Sequence, residues 1–409
     1  MPQICKRCLY TETHPLGIVF DDEGICSGCR IHEEKDRLDW DHRWKLLCDL
    51  VEPYRQKERA AYDCIIPVTG AADSYYIVDI VKNRLGLNPL LVNYNRYYNT
   101  PLGIRNLANL RIKFDCDILY QNVNPVSVRA VTRSALNHLG SVYWHVLAGH
   151  TVFPVQTAVN LKIPLIIWGA HQGLEQVGMF SHEHQVEMTR RYRKDHDLMA
   201  TEAMDMIRLF DTLTIRELNQ YLYPDDARLH KNGVRGIYLG NFVRWDPKAQ
   251  HEKMIDQFDY RGADFPRTFD TYDHTDCYVY MGLHDLLKFY KHGYSKVTDH
   301  ACREIRHGRL TRAEAVKLVR KHRMVEPPHM DLFSKWLGLT EQGLLFMLDQ
   351  QRNPRYWTQN GDRDWSFVND PLAGERESDH VADIGFQSHE PLNYTEPEHR
   401  YIVVGKGYP

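Results

Sequence analysis

The residues best suited to chemistry lie in Ile65-Ile66-Pro67-Val68-Thr69-Gly70-Ala71-Ala72-Asp73-Ser74, where an apolar, β-branched run from Tyr62 enters a turn of small residues. A helical pattern, Ser74 to Val81, follows directly. The first N–H groups of such a helix have no partner inside it, and the helix dipole adds partial positive charge there. The turn is therefore a candidate cradle for a phosphate, needing no dedicated basic side chain. The alternative reading is an ordinary strand-to-helix turn capped by Asp73 or Ser74.

A second constellation is Cys5-Lys6-Arg7-Cys8 with Cys26-Ser27-Gly28-Cys29, four of the nine cysteines, with 17 residues between the pairs. Each C-x-x-C turn can present two thiolates to one face of a tetrahedral Zn²⁺, and a short hairpin containing Gly17 and Gly24 brings the turns together. Four sulfurs leave no open coordination position, so the expected zinc is a staple and not a catalytic ion. Two disulfides are the other reading, and the N-terminal Met-Pro-Gln-Ile-Cys-Lys, with no apolar signal region, argues against them. Cys48, Cys64, Cys116, Cys277 and Cys302 are scattered and are expected to be buried thiols.

Between Gly178 and Met199 charged and imidazole side chains are concentrated. His182 and His184 are spaced i, i+2, poor for one helix face and so for a shared metal. Arg190 or Arg191 could fork onto a ligand's phosphate or carboxylate, with Glu187 nearby, or the whole stretch is a solvated face. Further on, His284-Asp285 could form an orienting pair joined by His300, although leucine and aromatic neighbours at helical spacing favour a packing role.

The elements that would hold these residues alternate in type. Strands are predicted over Tyr62–Val68, Pro89–Tyr94, Asp117–Tyr120 and Ile163–Gly169, with helices over 102–112, 126–139 and 151–161 between them. Such alternation argues an α/β fold, a parallel sheet with helices on both faces, whose ligands bind at the carboxyl ends of the strands. The ends at Thr69, Tyr94 and Gly169 should border one site. From about Gln172 the composition no longer favours strands. The boundaries expected are a ribbon over 1–35, a connecting helix over 36–60, the α/β domain over 61–200, a mostly helical region over 201–357, and an extended arm over 358–409. In the helical region 276–290 and 298–321 read as helices, with Thr311 and Glu314 as a capping box. Tyr401–Gly405 regains strand character.

The chain has 409 residues, 43% of them hydrophobic and 11% aromatic, enough for a substantial core. No apolar run approaches the ~20 residues of a membrane span, so a cytoplasmic protein without membrane contact is expected. A net charge of −3 argues against a general nucleic-acid surface, leaving local patches such as Arg190-Arg191-Tyr192-Arg193-Lys194.

The turn resembles the pyrophosphate loop S-G-G-x-D-S of the ATP pyrophosphatases. Thr69, Gly70, Asp73 and Ser74 fit, Ala71 stands for the second glycine, and Ala72 stands where many sugar-modifying members carry lysine. Should position 71 need a positive φ, alanine there costs roughly 1 kcal/mol. Over residues 1 to 357 the chain resembles the N-acetyl sugar amidotransferases, which turn an acetamido group into an acetamidino group on nonulosonic acids and on uronic acid sugars of lipopolysaccharide O-antigen. The resemblance rests on the cysteine pairs, Pro67–Ser74, Ile163–Gly169, Val177–Met199, Gly233–Asn241 with Arg244–Pro247, Arg267–Phe269, Gly282–Asp285, Lys291–Tyr294 and Thr298–Cys302.

That resemblance implies an ATP-dependent, AMP-forming amidotransferase. Pyrophosphate would sit on the N–H groups from Gly70 to Ser74, Ser74 would donate a further hydrogen bond, and Asp73 would lie near Mg²⁺, with Pro67, Thr69, Tyr94 and Gly169 completing the nucleotide site. In that family ammonia comes from a separate glutaminase, usually with a cyclase-like companion, and no glutaminase nucleophile is legible in this chain. Gly169-Ala170-His171 stands where the family has Gly-Glu, and Met199-Ala200 where it has Met-Gly. His171, Glu175, Glu187 and Asp197 are the candidates to replace the missing carboxylate and charge, His171 and Glu175 as catalytic groups. Such replacements are also what an inactive or repurposed paralogue, binding a sugar or an active partner, would show. A tRNA-thiolation enzyme is the further alternative, against which Trp144–His150 offers no cysteine.

Overall fold

The structure, a computed structural model, describes residues 2–55, 61–361 and 364–391. Its centre is a parallel sheet of β1 (Cys64–Pro67), β2 (Pro89–Tyr94), β3 (Ile118–Gln121), β4 (Leu165–Trp168) and β5 (Arg235–Tyr238), in the order β3-β2-β1-β4-β5. The four predicted strands are present within two residues at each end. β5 is not among them and lies in the region expected to be helical, so the sheet continues past residue 200. Its signal is weak because Gly236 interrupts it, and the reason for that glycine is contact: a Cβ there would lie 2.8 Å from Met188 Cβ.

Alternation along the strands explains burial on both faces. Cys64, Ile66, Leu91, Leu165, Ile167 and Ile237 face one core, with Leu47 and Val51 of the helix Trp40–Val51, Tyr75 and Val78 of the helix Ala72–Val78, and Met254 of the helix Pro247–Phe258. Ile65, Leu90, Val92 and Ile166 face the other, against Val155 and Ala158 of the helix Trp144–Leu161. That helix starts seven residues before the predicted 151, and Gly149 explains part of the choice of residue: a Cβ there would lie 2.4 Å from the Tyr94 ring.

The stretch predicted as one helix from 298 to 321 is two, Lys296–Arg306 and Arg312–Arg323, separated at Gly308, whose φ is +70°. Thr311 and Glu314 form the reciprocal capping box at the second helix's start. The arm begins not as coil but as a hairpin, Trp357–Gln359 with Trp365–Phe367. It then runs along Arg312–Arg323, held by Arg312–Glu375, Arg320–Glu377 and Arg323–Asp370 ion pairs. Tyr401–Gly405 lies outside the described residues, as does 56–60, the end of the region expected as a connecting helix. Among the described residues no helix is long and apolar enough to cross a membrane.

Candidate active site

In the loop after β1 the left-handed residue is Gly70, at φ +87°. A Cβ there would lie 2.9 Å from the Gly103 carbonyl oxygen, so both backbone and packing select glycine. Ala71 has φ −75° and ψ 163°, extended backbone that any residue adopts, so the alanine carries no conformational cost. The helix begins at Ala72, two residues earlier than predicted, and continues as a wider turn to Arg84. Within the loop Thr69 N–H donates to Ser74 Oγ at 3.0 Å, Ala71 N–H to Thr69 Oγ1 at 3.2 Å, and Ser74 N–H to the Ala71 carbonyl at 3.0 Å. The expectation that every amide from Gly70 to Ser74 serves an anion is thus corrected: Ala71 and Ser74 spend theirs on the loop. Gly70 and the first-turn amides of Ala72 and Asp73 are the available cradle. Asp73, half-exposed, is 2.9 Å from His251 Nε2.

The loop opens into a cavity of about 390 Å³ bordered by Pro67, Thr69, Ala71, Asp73, Ser74, Tyr94 and Gly169, the ends of β1, β2 and β4. β1 and β4 are where the strand order reverses, the crevice in which open α/β sheets bind ligands. Tyr94 offers its ring, because its hydroxyl is engaged by His145 Nδ1 at 3.0 Å and Tyr221 at 2.8 Å. Gly169 lets Trp245 and Ile77 close the floor, since a Cβ would lie 2.9 Å from Ile77 and 3.0 Å from Trp245. Glu175 also borders the cavity. One of its oxygens pairs with the buried Lys35, and Oε1, buried and without a hydrogen-bond partner, is 4.0 Å from His182 Nε2.

The other predicted residues go elsewhere. His171 does not border the cavity: its Nδ1 accepts from Gly173 N–H at 3.0 Å, capping a short helix, and its ring lies among Phe180, Tyr192 and Tyr238. Burial pushes that imidazole down to about 4. Glu187 pairs with Arg235 at 2.6 Å, Arg190 with Glu202 at 2.9 Å, and Arg191 is 92% exposed. Asp285 is buried against Arg267 at 2.7 Å, a structural pair. His284 and Asp197 border a second cavity, described below.

The opposite wall of the main cavity was not legible as such. It is one face of the helix Lys296–Arg306 with its exit: Lys296, Asp299, His300, Arg303, Arg306 and His307. Their spacing of three and four is a polar stripe, the one available signal, and it reads equally as a solvated face. Asp299 accepts from Tyr10 hydroxyl at 2.9 Å and pairs with Lys288 and, at 3.6 Å, Lys296. Burial would raise its pKa, but the two lysines outweigh it and hold the carboxyl well below the usual range. His300 lies between Thr268 Oγ1 at 2.7 Å and Asp273 Oδ2 at 3.3 Å. Burial likewise opposes ionisation of Asp273, and His274 and His300 overcome it.

The third wall is the ribbon. Cys5, Cys8, Cys26 and Cys29 are fully buried, with ligand atoms within 4.8 Å of one another. Cys5 Sγ accepts from the N–H groups of Arg7, Cys8 and Cys26 at 3.3–3.4 Å, and Arg306 reaches Cys26 Sγ at 3.7 Å. Donors arranged around sulfur favour thiolate, so the four residues fit a tetrahedral Zn²⁺ that would tie the two turns together. Gly28 lets the ribbon dock, since a Cβ would lie 2.4 Å from the Gln176 carbonyl oxygen, and docking brings Tyr10 and His32 to the cavity. Arg306 joins the walls, donating to the carbonyls of Glu175 at 3.1 Å and Gln176 at 2.8 Å.

Residues 256–371 match the family described as LPS biosynthesis protein WbpG-like, C-terminal domain. The matched segment is similar to that domain and makes up less than a third of the chain. It contains the polar helix face above the cavity, and it agrees with the resemblance carried by Arg267–Phe269, Gly282–Asp285 and Thr298–Cys302. An uncharacterized protein of Methanocaldococcus jannaschii is 25% identical over 121 residues, 29% of this chain and 42% of the relative's length. Among solved structures, an NH3-dependent NAD synthetase from Campylobacter jejuni covers 48% of this chain and 95% of its own, at 11% identity and a TM-score of 0.28. An NMN synthetase from Francisella tularensis covers 56% and 99%, at 11% identity and 0.26. Likenesses at those scores add nothing to the fold read from the sheet itself.

Proposed function

We propose that this protein is an ATP-dependent, AMP-forming carbon–nitrogen ligase that converts the acetamido group of a sugar into an acetamidino group in lipopolysaccharide or related surface-polysaccharide biosynthesis. The observation that carries the reading is the single cavity of about 390 Å³ bounded on one side by the phosphate-cradle loop and on the other by the WbpG-like domain. ATP and Mg²⁺ are the cofactors this reading requires. The amide oxygen attacks the α-phosphorus and pyrophosphate leaves. Ammonia then adds to the activated carbon, AMP leaves with the original amide oxygen, and a proton is lost.

In the proposed arrangement the amides of Gly70, Ala72 and Asp73 would hold the departing pyrophosphate, and the Asp73 carboxylate would be the group to hold the Mg²⁺, which would neutralise phosphate charge when bound. Lys296 and Arg306 supply positive charge from the opposite wall, standing in for the lysine that Ala72 replaces, while Arg303 beside them is held by Asp270 and Glu304. Glu175 Oε1, an acceptor without a donor, suits the incoming ammonia or the amide N–H. In this reading ammonia is delivered by a partner glutaminase with a cyclase-like companion, and the ligase step is testable with ammonia alone. Zinc-loaded protein with Mg·ATP, ammonium and a panel of acetamido sugars should release AMP and pyrophosphate in equal amounts, only with a productive sugar. The Asp73→Ala, Ser74→Ala double variant should lose that release, and AMP release unchanged in it would defeat the assignment of this loop.

A further inference from the structure

Beside the main cavity lies a second, of about 230 Å³, which shares Gln172, Gln176, Tyr280 and Lys296 with it. Its lining is basic. Lys288, Lys291 and Lys296 border it with the imidazoles of His14, His196, His284 and His292, and Asp197 is the carboxylate among the lining residues. Asp299 partners both Lys288 and Lys296, so one carboxylate is divided between two ammonium groups. Lys291 Nζ donates to the Leu139 carbonyl oxygen at 2.8 Å, a neutral acceptor at the end of the helix Pro125–Leu139.

Two further groups at this cavity are buried and unsatisfied: His14 Nε2, in a residue 5% exposed, and the Tyr294 hydroxyl, in a residue 8% exposed. Burial pushes Lys288 and Lys291 down to about 8 and Asp197 up to about 7, whereas at Lys296 the effect of burial is outweighed by Tyr280 and Asp299, which push it up. Concentrated positive charge and unpaired donors in a partly buried space are costly unless an anion completes them.

We propose that this second cavity is an oxyanion subsite, in which Lys291, Tyr294 and His14 bind the acidic group of the acceptor while the rest of the acceptor extends into the main cavity. The naming of the acceptor as an acetamido sugar rests on the proposed function; the anion site does not. The same chemistry would serve a carboxylate on the sugar or the diphosphate of a nucleotide-linked sugar.

Calorimetric titration of the zinc-loaded full chain with N-acetylneuraminate, with UDP-N-acetylglucosamine and with neutral N-acetylglucosamine separates these. The subsite predicts that at least one acidic probe binds and that the neutral one binds at least about tenfold more weakly. Lys291→Met should weaken the acidic probe by a similar factor and Lys291→Arg should restore it, with Mg·ATP affinity unchanged. Preference for N-acetylneuraminate assigns a carboxylate, preference for UDP-N-acetylglucosamine a diphosphate. Should Lys291→Met melt below wild type, Tyr294→Phe carries the test, with weakened binding of the same acidic probe expected. The subsite is overturned if neither acidic probe binds, if acidic and neutral probes bind equally, or if the folded variants bind like wild type. Lys291-dependent binding without AMP release under any condition would retain the subsite and remove the ligase reading.

Discussion

At the residue scale the loop turns on two adjacent positions with opposite demands. Gly70 is left-handed and packed against Gly103 and Leu107, so Gly70→Ala should destabilise the protein by about 1–3 kcal/mol in denaturant unfolding. Ala71 is extended, so Ala71→Gly, which would match the S-G-G-x-D-S pattern the loop resembles, should cost roughly 0.5–1 kcal/mol through the unfolded chain's entropy. Stabilisation by Ala71→Gly would mean that position 71 is strained after all. The strand-to-helix loop itself was legible from the sequence, because small residues between a β-branched strand and a helical pattern mark a tight turn. Side-chain direction was not. His171 and Glu175 are four residues apart, yet one sits in an aromatic cage and the other at the cavity, since His171 is the extended N-cap residue of the helix Gln172–Glu175 and Glu175 is part of that helix.

Elements explain what the periodicity could and could not reveal. β1 to β4 are largely apolar and bounded by turn residues, so they were legible; β5, no shorter than β1, contains Arg235 and Gly236 and holds its place by pairing with β4 and by Met188 N–H donating to the Gly236 carbonyl at 2.9 Å. The helix Arg312–Arg323 was readable down to its first turn, and Thr311→Ala should cost about 1 kcal/mol of stability by thermal or denaturant unfolding. The ribbon brings its four sulfurs together and packs Leu9, Tyr10 and Ile18 against Val297, Ala301, Val316 and Val319. Purified protein should hold zinc at about one equivalent, and chelation should lower the melting temperature and release Tyr10 and His32 from the cavity wall, measurable as weakened nucleotide binding. Full stability after complete metal removal would contradict the staple.

For the whole molecule the function-bearing fact is convergence. Sheet, ribbon and WbpG-like domain meet at one cavity, and no periodicity in the chain announces which polar helix face another element will cover. The same burial gives the molecule a pH response. His14 and His145 are pushed down to about 3, and His171 and His292 to about 4, each chiefly by burial. These groups are neutral when folded and take up protons near pH 6.5 when unfolded, so their contribution is fully present above that pH and is lost as pH falls toward their folded values. Asp197, raised to about 7, works in the opposite direction but is one group against four. Stability should therefore fall from pH 7 to pH 4.5, by about 1.4 kcal/mol per pH unit for each net proton taken up on unfolding, as read from denaturant midpoints. The measurement that bears most directly on the central claim is calorimetric titration of zinc-loaded protein with Mg·ATP, in parallel with the Asp73→Ala, Ser74→Ala variant. The account predicts micromolar to submillimolar binding in the first and its loss in the second; a folded, zinc-loaded protein that binds no Mg·ATP would contradict it.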